Sequence, residues 1–293
     1  MSIFCTRIQT DKQPKPSVSR LFLCVSVLFT HALEPKYPLA VECYLPLTQF
    51  VDDTALACER GAVIELRNGL TEDYARLSRV LTAVKTLQDE QRSVAADRAA
   101  LETVHRRARG IVRREIKKGA GAILRKRFLS ALTPEGELVL WDTVKALAGR
   151  VYELQDSYRL AHELLKPVLA AALEAGQEAY ACYDTYAPSA RLRHIILPGL
   201  QLAFVSASPK EPYPGEPYRR VRLDAAVPQE TARRYRLRLR FLRKTEAALR
   251  QDAYEILAGA VEKHGRLETI YNPHVDFTGV RALADAYAER ILP

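Results

Sequence analysis

The stretch Arg150-Val-Tyr-Glu-Leu154, running on into Gln155, Asp156, Ser157 and Tyr158, decides the fold. Val151, Tyr152 and Leu154 give it the β-branched, aromatic and apolar content of a buried strand. From residue 157 to residue 175 the apolar positions recur at helical spacing, and Gly176 stands where a C-cap glycine closes a helix. A strand that turns at once into a helix opens a βαβ unit.

The surroundings extend this pattern. Upstream, residues 128–132 read as a strand, Thr133-Pro-Glu-Gly136 as a turn, and 137–148 as an amphipathic helix ended by Gly149. Downstream, residues 179–183, 194–197 and 200–206 read as further short strands. Strands alternating with helices predict an α/β fold with a mostly parallel sheet over about residues 128–227. Long helices are predicted over 54–118 and 229–264. In the first, Tyr74, Leu77, Leu81, Val84 and Leu87 step by three and four, and Val94, Leu101, Val104, Ala108 and Ile111 prolong the stripe. That narrow seam predicts a helical arm or hairpin of coiled-coil type. A last helix is expected over 277–291, after the break at Asn272-Pro273.

Composition agrees with a chain that buries a core. Of 293 residues, 48% are hydrophobic and 27% charged, which argues against disorder. The net charge of +9 favours anionic partners but does not bear on the fold. Cys5, Cys24, Cys43, Cys58 and Cys182 are odd in number and form no C-x-x-C pair. Neither a disulfide framework nor a zinc ribbon follows, and reduced thiols in the cytoplasm are expected. Lys12, Lys15 and Arg20 before the apolar run 21–29 imitate a signal peptide. The run is too short to span a bilayer, and Val25, Val27 and Phe29 suit a strand equally well.

An internal echo favours the strand. Glu34-Pro-Lys-Tyr-Pro38 returns as Glu211-Pro-Tyr-Pro214, each after an apolar run and each followed by a second apolar stretch and a long helix. Shared order over such distances marks a repeat, with proline fixing both turns. The first copy lacks everything that precedes the second one's turn. The chain therefore reads as the tail of one unit, 34–127, then a whole unit, 128–293. Residues 1–33 are expected to be a poorly ordered terminus with an orphan strand.

Taken together, residues 31–42, Phe128-Leu-Ser-Ala-Leu-Thr-Pro-Glu-Gly136, 193–208, 211–217 and 271–277 resemble a bacterial family of duplicated P-loop ATPase-like proteins, known mostly from Firmicutes. The resemblance covers most of the chain from residue 31 and rests on the order of these pieces. It implies a P-loop NTPase-like sheet in which each unit carries a Walker A loop between strand and helix. Such a loop is G-x-x-x-x-G-K-[ST]: glycines let the backbone curl round phosphate, lysine neutralises charge and the hydroxyl holds Mg²⁺. At that place this chain has Gln155, Asp156, Ser157 and Tyr158, then Arg159, Leu160, Ala161 and His162, with no glycine and no Lys-Ser or Lys-Thr. Asp156 or Ser157 is expected to cap the helix where phosphate would otherwise sit. Residues 1–20 contain no glycine either, so the first unit has no such loop.

The expectation is thus a degenerate, non-catalytic ATPase-like protein, ancestrally a binder of ATP and Mg²⁺, with no cofactor of its own. It would act through a protein partner or as a homo-oligomer, in the cytoplasm and without a membrane. Other chemistries find little footing. His31, His105, His162, His194, His264 and His274 show no metal-ligand spacing. There is no G-x-S-x-G elbow, so Ser206 and Ser208 read as turn residues. Asp184, ending a strand, could imitate a Walker B carboxylate, though a structural cap fits better. Gly119-Ala-Gly121 reads as a hinge. The alternative function is nucleic-acid binding, through the basic runs 106–118 and 233–244.

Overall fold

The computed structural model describes residues 47–188, 190–208 and 211–291. The strand expected over 21–33 and the Glu34-Pro-Lys-Tyr-Pro38 turn lie outside the described residues. Two compact units emerge. The described residues up to Asp52 group with those from Val275 onward, and Asp53–His274 forms the other. The boundary expected at 127/128 falls inside the second unit.

In that second unit a short helix α1 (Asp53–Ala57) precedes the long helix α2 (Arg60–Ala95) and helix α3 (Arg98–Glu115). Next come β1 (Ile123–Arg127), β2 (Ser130–Thr133), β3 (Gly136–Val139) and α4 (Trp141–Leu147). The unit continues with β4 (Arg150–Gln155), α5 (Ala161–Glu174), β5 (Glu178–Tyr183), β6 (Leu192–Leu197), β7 (Leu202–Ala207) and β8 (Arg219–Arg222). Helix α6 (Gln229–Arg234) and the long α7 (Arg236–Tyr271) complete it. The fold is mixed α/β, as the sequence predicts.

Six strands form one sheet in the order β1-β5-β6-β7-β4-β8. β1 is parallel to β5, and β4 is parallel to both β7 and β8; only β6 runs against its neighbours. The decisive stretch is therefore an interior strand. Val151, Tyr152 and Leu154 are all buried, which is why its pattern is nearly continuous rather than alternating. Tyr152 and Leu154 face a core with Leu164, Leu165 and Val168 of α5 and Val104, Ala108 and Ile111 of α3. Val151 faces the opposite layer, with Val144 and Ala148 of the α4 segment. Burying each of these larger side chains contributes about 1.5–3 kcal/mol.

Two sequence expectations are altered by tertiary context. Glu137 and Val139 lie in a strand, not a helix. Gly136 sits at φ +131°, and Thr133-Pro-Glu-Gly136 closes a hairpin in which Ser130 faces Val139. The stripe expected from Leu70 to Ile111, as a helical arm or hairpin, breaks at Asp97, whose carboxylate accepts from the Ala100 amide at 2.8 Å and starts α3 afresh. The break lets α2 pack on α7 while α3 packs on α5. Contacts Asp73–Lys263, Gln88–Glu246 and Glu90–Arg238 descend along one helix as they climb the other, so α2 and α7 are antiparallel. Each has 36 residues and so measures about 54 Å.

Gly119 and Gly121 do not stand free. Their amides donate to the carbonyls of Ala175 and Gly176 at 2.7 and 2.9 Å, closing the carboxyl end of α5, where Gly176 has φ +78°. In the first unit, Val51 bridges Val275 and the Asp276 carboxylate caps α8 (Phe277–Ile291) through the Thr278 and Gly279 amides.

Candidate functional site

The carboxyl end of a parallel strand beside a helix N-terminus is where α/β folds bind ligands. Here that position is the loop from β4 to α5. Helix α5 begins at Ala161, four residues later than the sequence suggests, because the chain turns at Arg159, φ +62°. Asp156 directs the turn: buried, its carboxylate accepts from the amides of Leu160 and Ala161, both at 2.7 Å. A second carboxylate enters from the distant residue Asp224, accepting from the Ser157 amide and hydroxyl, each at 2.7 Å. Three backbone donors that could face an anion are thereby occupied by the protein's own carboxylates.

The four residues at the expected loop position are all engaged internally. Gln155 finishes the ladder, pairing with Ala207 and Arg222. Asp156 and Ser157 hold the turn as described. Tyr158 lies beneath the Arg243 guanidinium, 5.1 Å from ring centre to Cζ, and Arg243 also donates to the Ser157 carbonyl at 3.3 Å. Burial, with the Asp224 charge adding to it, pushes the Asp156 carboxyl up to about 6, although its backbone hydrogen bonds pull the other way.

Below this loop opens a cavity of about 550 Å³ between the ends of β4 and β7, the β2–β3 hairpin and α7. Its walls carry Arg159, Arg193, Arg243 and Arg250 against Glu137, Asp156, Glu211 and Glu246. Glu137 is gripped by Arg193 and Arg250, and Glu211 by the same pair. Burial opposes the Glu211 charge, but Arg250 and Arg193 outweigh it and hold that carboxyl below its ordinary value. Glu246 accepts from Gln88 at 2.9 Å, Gln91 at 2.6 Å and Arg159 at 2.6 Å. Arg243 alone of the four arginines makes no ion pair among the described residues. Carboxylates locked between arginines make poor general bases, and arginines so paired offer little net charge to phosphate.

Other sequence candidates fall elsewhere. Asp184 ends β5, which β6 and β7 separate from β4, and its carboxylate accepts from the Tyr186 amide and from Arg191. It serves the local turn. Ser208 accepts from the Glu211 amide, a turn contact, and the Ser206 amide donates to His194 Nδ1. His194 is fully buried, and desolvation holds it well below its ordinary value and hence neutral. No group of three or more His, Cys, Asp or Glu among the described residues could hold a metal. No helix among them is long and apolar enough to cross a membrane.

Sequence reasoning gave no site role to Asp224, Arg159 or Glu246. Asp224 lies 67 residues from Ser157, and Glu246 lies 158 from Gln88. Only an unpaired acid within an apolar helix stripe, Glu246 beside Leu242, could have signalled any of them. Compared with known proteins, the chain matches no family model, no curated protein and no solved structure.

Proposed function

We propose that this chain is a P-loop ATPase-like protein whose phosphate position has been taken over by its own side chains, and that it acts as a non-catalytic structural or regulatory partner. One observation carries the reading: the loop joining an interior parallel strand to a helix N-terminus gives its Ser157, Leu160 and Ala161 amides to Asp224 and Asp156. The location is one at which α/β folds bind anionic ligands, whereas the charge is the opposite of what phosphate needs. A triphosphate would have to displace two carboxylates and then face their repulsion without a lysine. The resemblance to duplicated ATPase-like proteins supports the ancestry and does not depend on this loop. Isothermal titration with Mg-ATP tests the proposal. The expected result is no saturable heat up to about 1 mM, a limit corresponding to about −4 kcal/mol. Micromolar binding together with phosphate release would overturn it.

A further inference from the structure

The sequence places Arg106–Arg114 and Arg219–Arg222 more than a hundred residues apart, but the fold sets them side by side. Helix α3 packs over the sheet next to its edge strand β8, and Arg107 donates to the Arg222 carbonyl. Arg107 and Arg114 are seven residues apart and so share one face of α3. Burial and the charges of Arg106 and Arg222 all bear against the Arg107 cation, so these side chains crowd each other. Arg106, Arg114, Arg219 and Arg222 are exposed. Among the described residues, none of these five arginines makes an ion pair. At the entrance to β8 an aromatic ring, Tyr218, is 46% exposed; the Arg219 and Arg150 guanidiniums each lie 5.3 Å from its centre, and the Tyr152 ring meets it edge-on at 5.7 Å.

We propose that this surface, formed by α3, β8 and Tyr218, binds single-stranded nucleic acid, with the arginines on phosphates and Tyr218 stacking on a base. Cations crowded as Arg106, Arg107 and Arg222 are crowded are stabilised when an anion comes between them, which a flexible phosphate chain does at regular intervals. The ring favours a single strand over a duplex, because only unpaired bases expose a face. This inference is independent of the β4–α5 loop.

Fluorescence anisotropy with labelled 20-nucleotide oligo-dT tests it. With about four phosphate contacts, the slope of log affinity against log salt is about −2.8, so affinity drops about 50-fold between 50 and 200 mM salt. Arg106→Gln/Arg219→Gln/Arg222→Gln lowers the slope by about 2, whereas removing the same charge on α7 with Arg236→Gln/Arg240→Gln/Lys244→Gln leaves it unchanged. Tyr218→Ala weakens binding about fivefold or more at both salts without altering the slope, and Tyr218→Phe restores it. Ultraviolet crosslinking of the unaltered protein attaches the oligonucleotide at Tyr218. Four results would each overturn the proposal: no binding at 50 mM salt, equal losses from the α7 variant, crosslinks mapping elsewhere, or equally tight binding of duplex or phosphatidylserine vesicles through the same arginines.

Discussion

Replacing Asp156 with asparagine should make the protein's stability depend less on pH, in a direction that burial dictates. Asp156 is buried beside Asp224, and its carboxyl titrates near 6 rather than at 3.8. The folded protein therefore holds this proton more tightly than the unfolded chain does. Stability from the neutral form is complete below the unfolded value and is lost as pH rises through the folded one. That gap corresponds to about 3 kcal/mol, which the native protein forfeits between about pH 4 and pH 7 through this group. An asparagine keeps the shape and one carbonyl acceptor but cannot ionise. Urea denaturation of both proteins at pH 4, 5, 6 and 7 isolates the effect, since the titrating groups that do not interact with Asp156 cancel in the difference. Asp156→Asn should gain about 3 kcal/mol on the native protein from pH 4 to pH 7, with most of the change between pH 4 and 6. A pH-independent difference would refute the argument. A native protein that gains on the variant as pH rises would show that the Leu160 and Ala161 amides outweigh burial.

Two further perturbations probe the frame around the site. Glu246→Ala removes the acceptor shared by Gln88, Gln91 and Arg159 and should cost about 3 kcal/mol in urea denaturation; a loss below about 1 kcal/mol would mean the cluster is held by water instead. Gly119→Ala sets a methyl 2.1 Å from the Gly176 carbonyl oxygen, whereas Gly121→Ala meets nothing within 4 Å. The first should lower the thermal midpoint by about 5 °C and the second should leave it unmoved, by calorimetry.

Local pattern was sufficient to find most of the sheet. β4 and β7 are buried along most of their length, β5 buries Ala179, Ala181 and Cys182, and Gly176 closes α5 as its position implies. β1 escaped notice because its residues Ile123-Leu-Arg-Lys-Arg127 lie exposed at a sheet edge, where lysine and arginine guard against further pairing and no burial pattern is imposed. Glu137 misled because a strand of four residues has too few positions to betray its period.

At the site the division is sharper. Reading the residues from Gln155 to His162 was enough to exclude a Walker A loop, because that chemistry needs particular side chains and glycines in consecutive places. The same stretch suggested a capping role for Asp156, a short-range contact over four and five residues. What filled the remaining donors was decided only by tertiary structure: Asp224 reaches Ser157 because β8 pairs with β4 and carries the chain past the loop. The arginines of α3 and β8 meet for a similar reason, since crossover connections bring distant segments together by packing an apolar face that individual charged residues do not report. Periodicity records which side of an element is buried. It does not record which other element covers it, and the charge arrangement of this protein is set by that second choice.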